Sequence, residues 1–181
     1  MRPTYFVLAS ILMLVGTSSA QPAFDFAKHP FFKHLIEGEW TTEGDIKFSD
    51  GHLVHNKQDW KAQAKGDNAL TILGTREWAG QTIHYKWSVR RLESGAFEQV
   101  FQPDAASPNT ETFTAHVSED NSNVEMSAQM SDHSKITITQ KFRGHDHDTM
   151  DVTVTLTDEN GEVIYSGAAV ARRHRALKPA Q

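Results

Sequence analysis

Residues 113–130, FTAHVSEDNSNVEMSAQM, carry the pattern that decides the fold. Phe113, Ala115 and Val117 alternate with Thr114 and His116; Val124, Met126, Ala128 and Met130 alternate with Glu125, Ser127 and Gln129. A period of two marks a strand with one buried face, and Glu119-Asp120-Asn121 between the runs is turn chemistry. The alternation resumes in Ile136 and Ile138 and again in Met150, Val152, Val154 and Leu156, so the region reads as successive antiparallel hairpins.

Outward from this stretch, turn formers recur at short, fairly even intervals: Ser49-Asp50-Gly51, Gly66-Asp67-Asn68, Ala79-Gly80, Ser94-Gly95, Asp132-His133, Gly144-His145 and Asp158 to Gly161. About ten strands fit between them, and a meander of that length closes on itself because closure leaves no unpaired edge. Upstream, Phe24, Phe26, Phe31, Phe32, Leu35 and Ile36 stand partly at helical spacing. Pro30 suits a first helical turn, which predicts a short helix from Pro30 to Glu37 ended by Gly38. The expected fold is all-β: a closed antiparallel meander barrel with a short N-terminal helix, one domain over residues 21–181. The longest connection, Pro103 to Asn109, belongs at one mouth. The basic run Arg172 to Lys178 reads as the frayed exit of the last strand.

Residues 1–20 have the layout of a cleavable signal peptide. Arg2 supplies a positive start, Tyr5 to Val15 an uncharged apolar core, and Gly16 to Ala20 small residues for cleavage before Gln21. The core is too short to span a bilayer, which takes roughly 20 residues, so no membrane span is expected in the mature chain. No Cys follows to accept a lipid. The chain has 0 Cys in all, which excludes disulfides, thiol catalysis and cysteine-ligated metal together. No Asn-x-Ser/Thr acceptor occurs. These features fit a periplasmic or secreted protein. The formal net charge of −5 argues against nucleic-acid binding.

The segment Leu35-Ile-Glu-Gly38-Glu-Trp40-Thr-Thr-Glu-Gly44 resembles the opening of the lipocalin-like (calycin-type) barrels, where Gly-x-Trp begins the first strand beneath a short helix. It is similar in particular to the DUF1579 family of bacterial proteins of unknown function, which also end in a hairpin like Val152 to Arg173 with an Arg-containing last strand. The resemblance implies a ten-stranded antiparallel barrel with an interior cavity, and no activity. The opening is also similar to the nitrobindin-type haem barrels, but Thr42 stands where their pattern has its next Gly, and His174 lies among arginines. No cofactor is assigned.

Trp40, Trp60, Trp78, Tyr85, Trp87, Phe97, Phe101 and Tyr165 are spread over successive strands. In an open barrel several of them line a ligand site; in a filled one they are core. In Ile83 to Arg90, alternation puts Ile83, Tyr85, Trp87 and Val89 on one face and His84, Lys86, Ser88 and Arg90 on the other. The plain reading leaves the cationic face in solvent, and the sharper one has His84 or Arg90 meet an acidic group of a ligand. The candidate ligand-binding residues are therefore Trp60, Trp78, His84, Tyr85, Trp87, Arg90, Phe101 and Tyr165. His145-Asp146-His147-Asp148 is the densest cluster of metal-ligand types, but it lacks a third histidine at companion spacing, and no metal is assigned. No nucleophile elbow, zinc-protease helix, phosphate loop or dinucleotide fingerprint is present. The expected role is binding of a small, partly apolar molecule in the barrel. A small cavity enzyme of isomerase or hydrolase type and an interaction or structural module with a filled core are the alternatives. Ligand identity and oligomeric state are not legible.

Overall fold

The computed structural model describes residues 24–66, 68–78, 80–104 and 108–174, the side chain of Trp78 apart; the expected signal peptide and residues 175–181 lie outside them. One helix, α1 (Pro30–Ile36), is followed by ten strands: β1 (Glu39–Phe48), β2 (Leu53–Lys65), β3 (Ala69–Trp78), β4 (Gln81–Arg91), β5 (Phe97–Gln102), β6 (Glu111–Val117), β7 (Asn123–Gln129), β8 (Lys135–Arg143), β9 (Thr149–Thr157) and β10 (Val163–His174). Each strand pairs antiparallel with its neighbour in sequence, and β10 returns to pair with β1, from Glu39 opposite His174 to Phe48 opposite Tyr165. The result is the closed meander barrel expected from the alternation.

The turns hold because short acids take over backbone donors that the ladder leaves unpaired. Asp50, Asp120, Asp132, Asp146 and Asp158 each accept the N–H two residues on, from His52, Ser122, Ser134, Asp148 and Asn160, at 2.9 to 3.3 Å. Asp120 also accepts from the hydroxyls of Ser118 at 2.5 Å and Ser122 at 2.8 Å, and these bonds, Ser118's above all, hold its pKa down to about 2. Three of the turns place a residue other than Gly in the left-handed region, Asn121 at φ 56°, His133 at φ 66° and His147 at φ 54°.

The helix closes one end of the barrel. It begins at Pro30, whose missing N–H costs nothing in a first turn, and it sends Phe31, Phe32 and Leu35 inward. Phe31 packs on Phe142 with ring centroids 5.1 Å apart, and Phe32 on Phe97 at 4.8 Å and Phe26 at 5.0 Å, so the floor is a cluster of edge-on aromatic contacts. Trp40, 1% exposed, donates its indole N–H to Leu35 O at 3.2 Å and thereby satisfies a carbonyl at the end of the helix. Its ring stacks on Trp60 at 5.4 Å and 7° between planes.

Arg173 secures this end, in contrast to the frayed exit expected for the basic run. Its side chain is 6% exposed and lies 5.8 Å from the centre of the Trp40 ring. Its Nε donates to Asp148 Oδ1 at 2.6 Å, its Nη1 to Glu37 Oε2 at 3.1 Å and its Nη2 to Asp146 O at 3.2 Å. Gly38 is required here: a Cβ would come 2.6 Å from Arg173 Cγ. One guanidinium thus ties the end of α1, the start of β1, the β8–β9 turn and β10. The turn makes a second contact with the helix through His147, whose ring stacks on His34 at 4.0 Å and 2°.

Removing Arg173 takes the guanidinium away from Asp148 and Glu37, and although Lys33 and His34 stay beside Glu37, the four segments it joined lose their common tie. Arg173→Ala is expected to lower the unfolding free energy in urea by about 3 kcal/mol, and Arg173→Lys to recover only part of the loss, since one ammonium cannot serve all three acceptors. An R173A variant as stable as the wild type would contradict this.

Burial lowers the pKa of His34, with the charges of His147 and Arg173 also lowering it and Glu37 opposing; burial and then Arg91 lower that of His29. Both imidazoles bind a proton less readily folded than unfolded, so their contribution to stability is present above the unfolded value near 6.5 and is lost as pH falls through the lowered folded values. His55, raised first by its hydrogen bond to Asp45, acts in the opposite sense, but it is fully exposed and screened. Tm should therefore fall as pH drops from about 7.5 to about 5.5, and His34→Gln should flatten that slope; an unchanged slope would refute the assignment.

Candidate functional site

Above the aromatic floor the barrel is hollow. The space is about 380 Å³ and opens at the end opposite α1. Its walls follow from the strand period: residues pointing inward on each strand line it, and their types differ from one side to the other.

The wall from β7 to β9 is mostly aliphatic, made by Val124, Met126, Ile136, Ile138, Val152 and Val154. The middle of the seam between β1 and β10 is lined by small residues, Gly44, Gly167 and Ala169, between Thr42 and Ile46 of β1 and Tyr165 of β10. Gly44 pairs with Ala169, and a Cβ on Gly44 would lie 2.6 Å from that of Ala169 and 2.2 Å from Ala168 O. The two strands approach so closely that only Gly fits, and the space saved belongs to the cavity. On β4 and β5, Trp87 and Phe101 meet at 4.5 Å, and Trp87 meets Phe113 of β6 at 5.2 Å. Tyr85 lies over Gly74 of β3, where a Cβ would come 2.5 Å from its Cζ.

The polar groups of the interior come mainly from β2 and β3. Asn56 and Gln58 come from β2 and Arg76 from β3, with Gln58 directly opposite Arg76 in the ladder. Arg76 sits two residues before the end of its strand, and Glu111 is the first residue of β6, so both are near the mouth, as are Tyr165 and Pro103. Burial lowers the pKa of Arg76, while Tyr85, Tyr165 and Glu111 favour its charge; a guanidinium stays cationic throughout. Burial, more than any neighbouring charge, pushes both phenols up, so they are hydroxyl donors at neutral pH. Asn56 is 8% exposed and its Oδ1 is buried without a hydrogen bond.

Of the residues singled out from the sequence, Trp60, Tyr85, Trp87, Phe101 and Tyr165 come together around this one space. Trp60 forms part of the floor, its indole N–H donated to Thr42 Oγ1 at 2.9 Å. Two others point away from it. Arg90 is 64% exposed on the outer surface, its Nε bonded to Glu98 at 2.5 Å, and His84 lines an outer depression with Thr41, Asp59 and His174. The period-two rule separates them from Tyr85 and Trp87 once the aromatic face is inside, so neither His84 nor Arg90 meets the acidic group of a ligand in the barrel. The side chain of Trp78 lies outside the described residues. The His145–Asp148 segment is engaged elsewhere, through the stack of His147 on His34 and the bonds of Asp148 to Arg173. Among the described residues no three His, Asp or Glu side chains are grouped to hold a metal, and no helix is long and apolar enough to cross a membrane.

The interior cation, Arg76, was not among the sequence candidates. Its signal was present: Leu70, Ile72, Gly74 and Arg76 share one parity. The signal was masked because Leu73, of the opposite parity, is 44% exposed on the outside. Asn56, Gln58 and Glu111 went unremarked for a related reason, since polar residues on an inward face erase the alternation that identifies it.

No family model matches the chain, and no curated protein matches it. Solved structures do. The S-type phycobiliprotein lyase CPES from Guillardia theta superposes with a TM-score of 0.57 at 12% identity, covering 81% of this chain and 92% of that one. Rv2717c from M. tuberculosis does so with a TM-score of 0.54 at 17% identity, covering 81% and 99%. At such identities the likeness is one of fold, and the fold is a lipocalin-like antiparallel barrel of ten strands.

Proposed function

We propose that this protein is exported and binds a small, partly apolar molecule inside its barrel. The observation that carries the reading is the cavity itself. Protein interiors pack to crystal density with few voids. A filled interior would add packing contacts across this whole space, and closed voids of even a fraction of its volume cost several kcal/mol, about 24 cal/mol per Å³ where dry, against a typical total stability of about 5–15 kcal/mol. A barrel serving only as an interaction surface gains from filling that space. Here it is kept open by small residues, with one aliphatic wall, an aromatic side and a few convergent polar groups, the composition of a small-molecule site. One structure of this fold is a phycobiliprotein lyase; folds host many activities, so the weight rests on this chain's own interior. Membership of the DUF1579 family is part of the same proposal, supported by the Gly38-x-Trp40 opening and the arginine of the last strand.

A neutral apolar fluorophore, N-phenyl-1-naphthylamine, should bind the folded protein saturably at one site. Val154→Trp, which projects into the space, should abolish that binding while leaving Tm unchanged or higher. Equal binding by V154W would overturn the reading, as would a wild type that binds neither this fluorophore nor any other apolar or amphiphilic probe.

Export rests on residues 1–20. When the full chain is produced in a bacterium, the protein recovered from the periplasm or medium is expected to begin at Gln21. Recovery of uncleaved chain from the cytoplasm alone would refute it.

A further inference from the structure

The polar wall does more than interrupt an apolar cavity; it has an order. Arg76 stands near the mouth as a half-buried cation, with the hydroxyls of Tyr85 and Tyr165 and the carboxylate of Glu111 in electrostatic reach. Its planar fork presents donors that match a carboxylate or similar oxyanion. One strand over, Gln58 is its direct partner in the ladder, and Asn56 follows two residues along on the same inward face. Diagonal neighbours of this kind lie about 7–8 Å apart. Asn56 Oδ1 is a buried acceptor without a donor, an arrangement that native proteins seldom leave uncompensated. Asn56 pairs on its other side with Gly44, so the space beside it is open cavity and not another side chain.

We propose that the ligand is an acid-headed amphiphile: its anionic group lies on Arg76 at the mouth, a hydroxyl or amide N–H a few atoms along donates to Asn56, and its apolar tail runs between Trp87 and the β7–β9 wall toward α1. This rests on the binding reading above and names the chemical class of the ligand. Glu111 has a part in it. As the first residue of β6, next to the 103–110 connection, it supplies the negative charge that Arg76 needs in the empty barrel, and an incoming acid competes with it. A cation-headed ligand would instead use Glu111 and be repelled by Arg76.

The test is calorimetric titration of the mature chain with four probes of one tail length: 3-hydroxydodecanoate, dodecanoate, dodecan-1-ol and dodecylamine. Twelve carbons suit a space of about a dozen water volumes. Both acids should bind at least about tenfold more tightly than the alcohol or the amine, as a charge-assisted hydrogen bond would give. The 3-hydroxy acid should bind several-fold more tightly than the plain acid. Arg76→Met should erase the preference for acid over alcohol, Glu111→Gln should tighten both acids, and Asn56→Leu should remove the advantage of the 3-hydroxyl while sparing dodecanoate. Should R76M fail to fold, E111Q and N56L still decide. If the alcohol or amine binds as well as the acids, or if E111Q leaves the acids unchanged, this inference is wrong while the binding reading stands. The same holds if N-phenyl-1-naphthylamine binds and none of the four probes does. If neither the naphthylamine nor any of the four binds, both fall.

Discussion

The barrel depends on one guanidinium. Arg173 is held between Asp148, Glu37 and a backbone carbonyl, with its plane against Trp40, and it joins groups separated by as many as 136 residues. The arginine is buried while its carboxylate partners Glu37 and Asp148 reach solvent, so the charges are held in place by geometry more than by a dry environment. The node therefore acts less as glue than as a condition: the helix, the first strand, the β8–β9 turn and the last strand must all be in place before its charges are satisfied. Trp40 belongs to the same device, because its indole N–H ends the helix while its ring shields the arginine.

The hollow follows from this arrangement. With one end sealed by α1 and its phenylalanines, the remaining strands enclose space without having to fill it. The tight seam at Gly44 and Ala169 draws β1 and β10 together and leaves the middle of their side lined by small residues. What remains is asymmetric, with an aliphatic wall facing a polar one and an aromatic side between them. Shape and polarity are thus set by separate parts of the sequence: small residues on β1 and β10 make room, β2 supplies amides, and β3 and β6 supply the charges of Arg76 and Glu111.

Much of the architecture was legible because the signals are local. The alternation in Phe113 to Val117 and Val124 to Met130 and the acids in the turns act over a few residues, and the structure uses them as such. The helix from Pro30 was legible for the same reason. The aromatic lining was half legible: period two groups Tyr85 with Trp87 and separates both from His84 and Arg90, but it does not say which group is inside. The long-range features were hidden. Arg173 lies in a run of basic residues that looks like a tail, and its burial is caused by residues 25 and 136 positions away. Arg76 is hidden by an exposed Leu73, and His147 by neighbours that suggest metal chemistry when its ring is simply stacked on His34.

The pairing of β1 with β10 gives the chain a way of checking its own length. A polypeptide cut short before Val163 cannot make the closing ladder or the charge node, and it would present two raw strand edges and an unshielded tryptophan. Formation of the last strand is thereby converted into concealment: with β10 in place each of the ten strands is paired on both sides, and a fragment without it displays the edge surface that proteases and chaperones recognise.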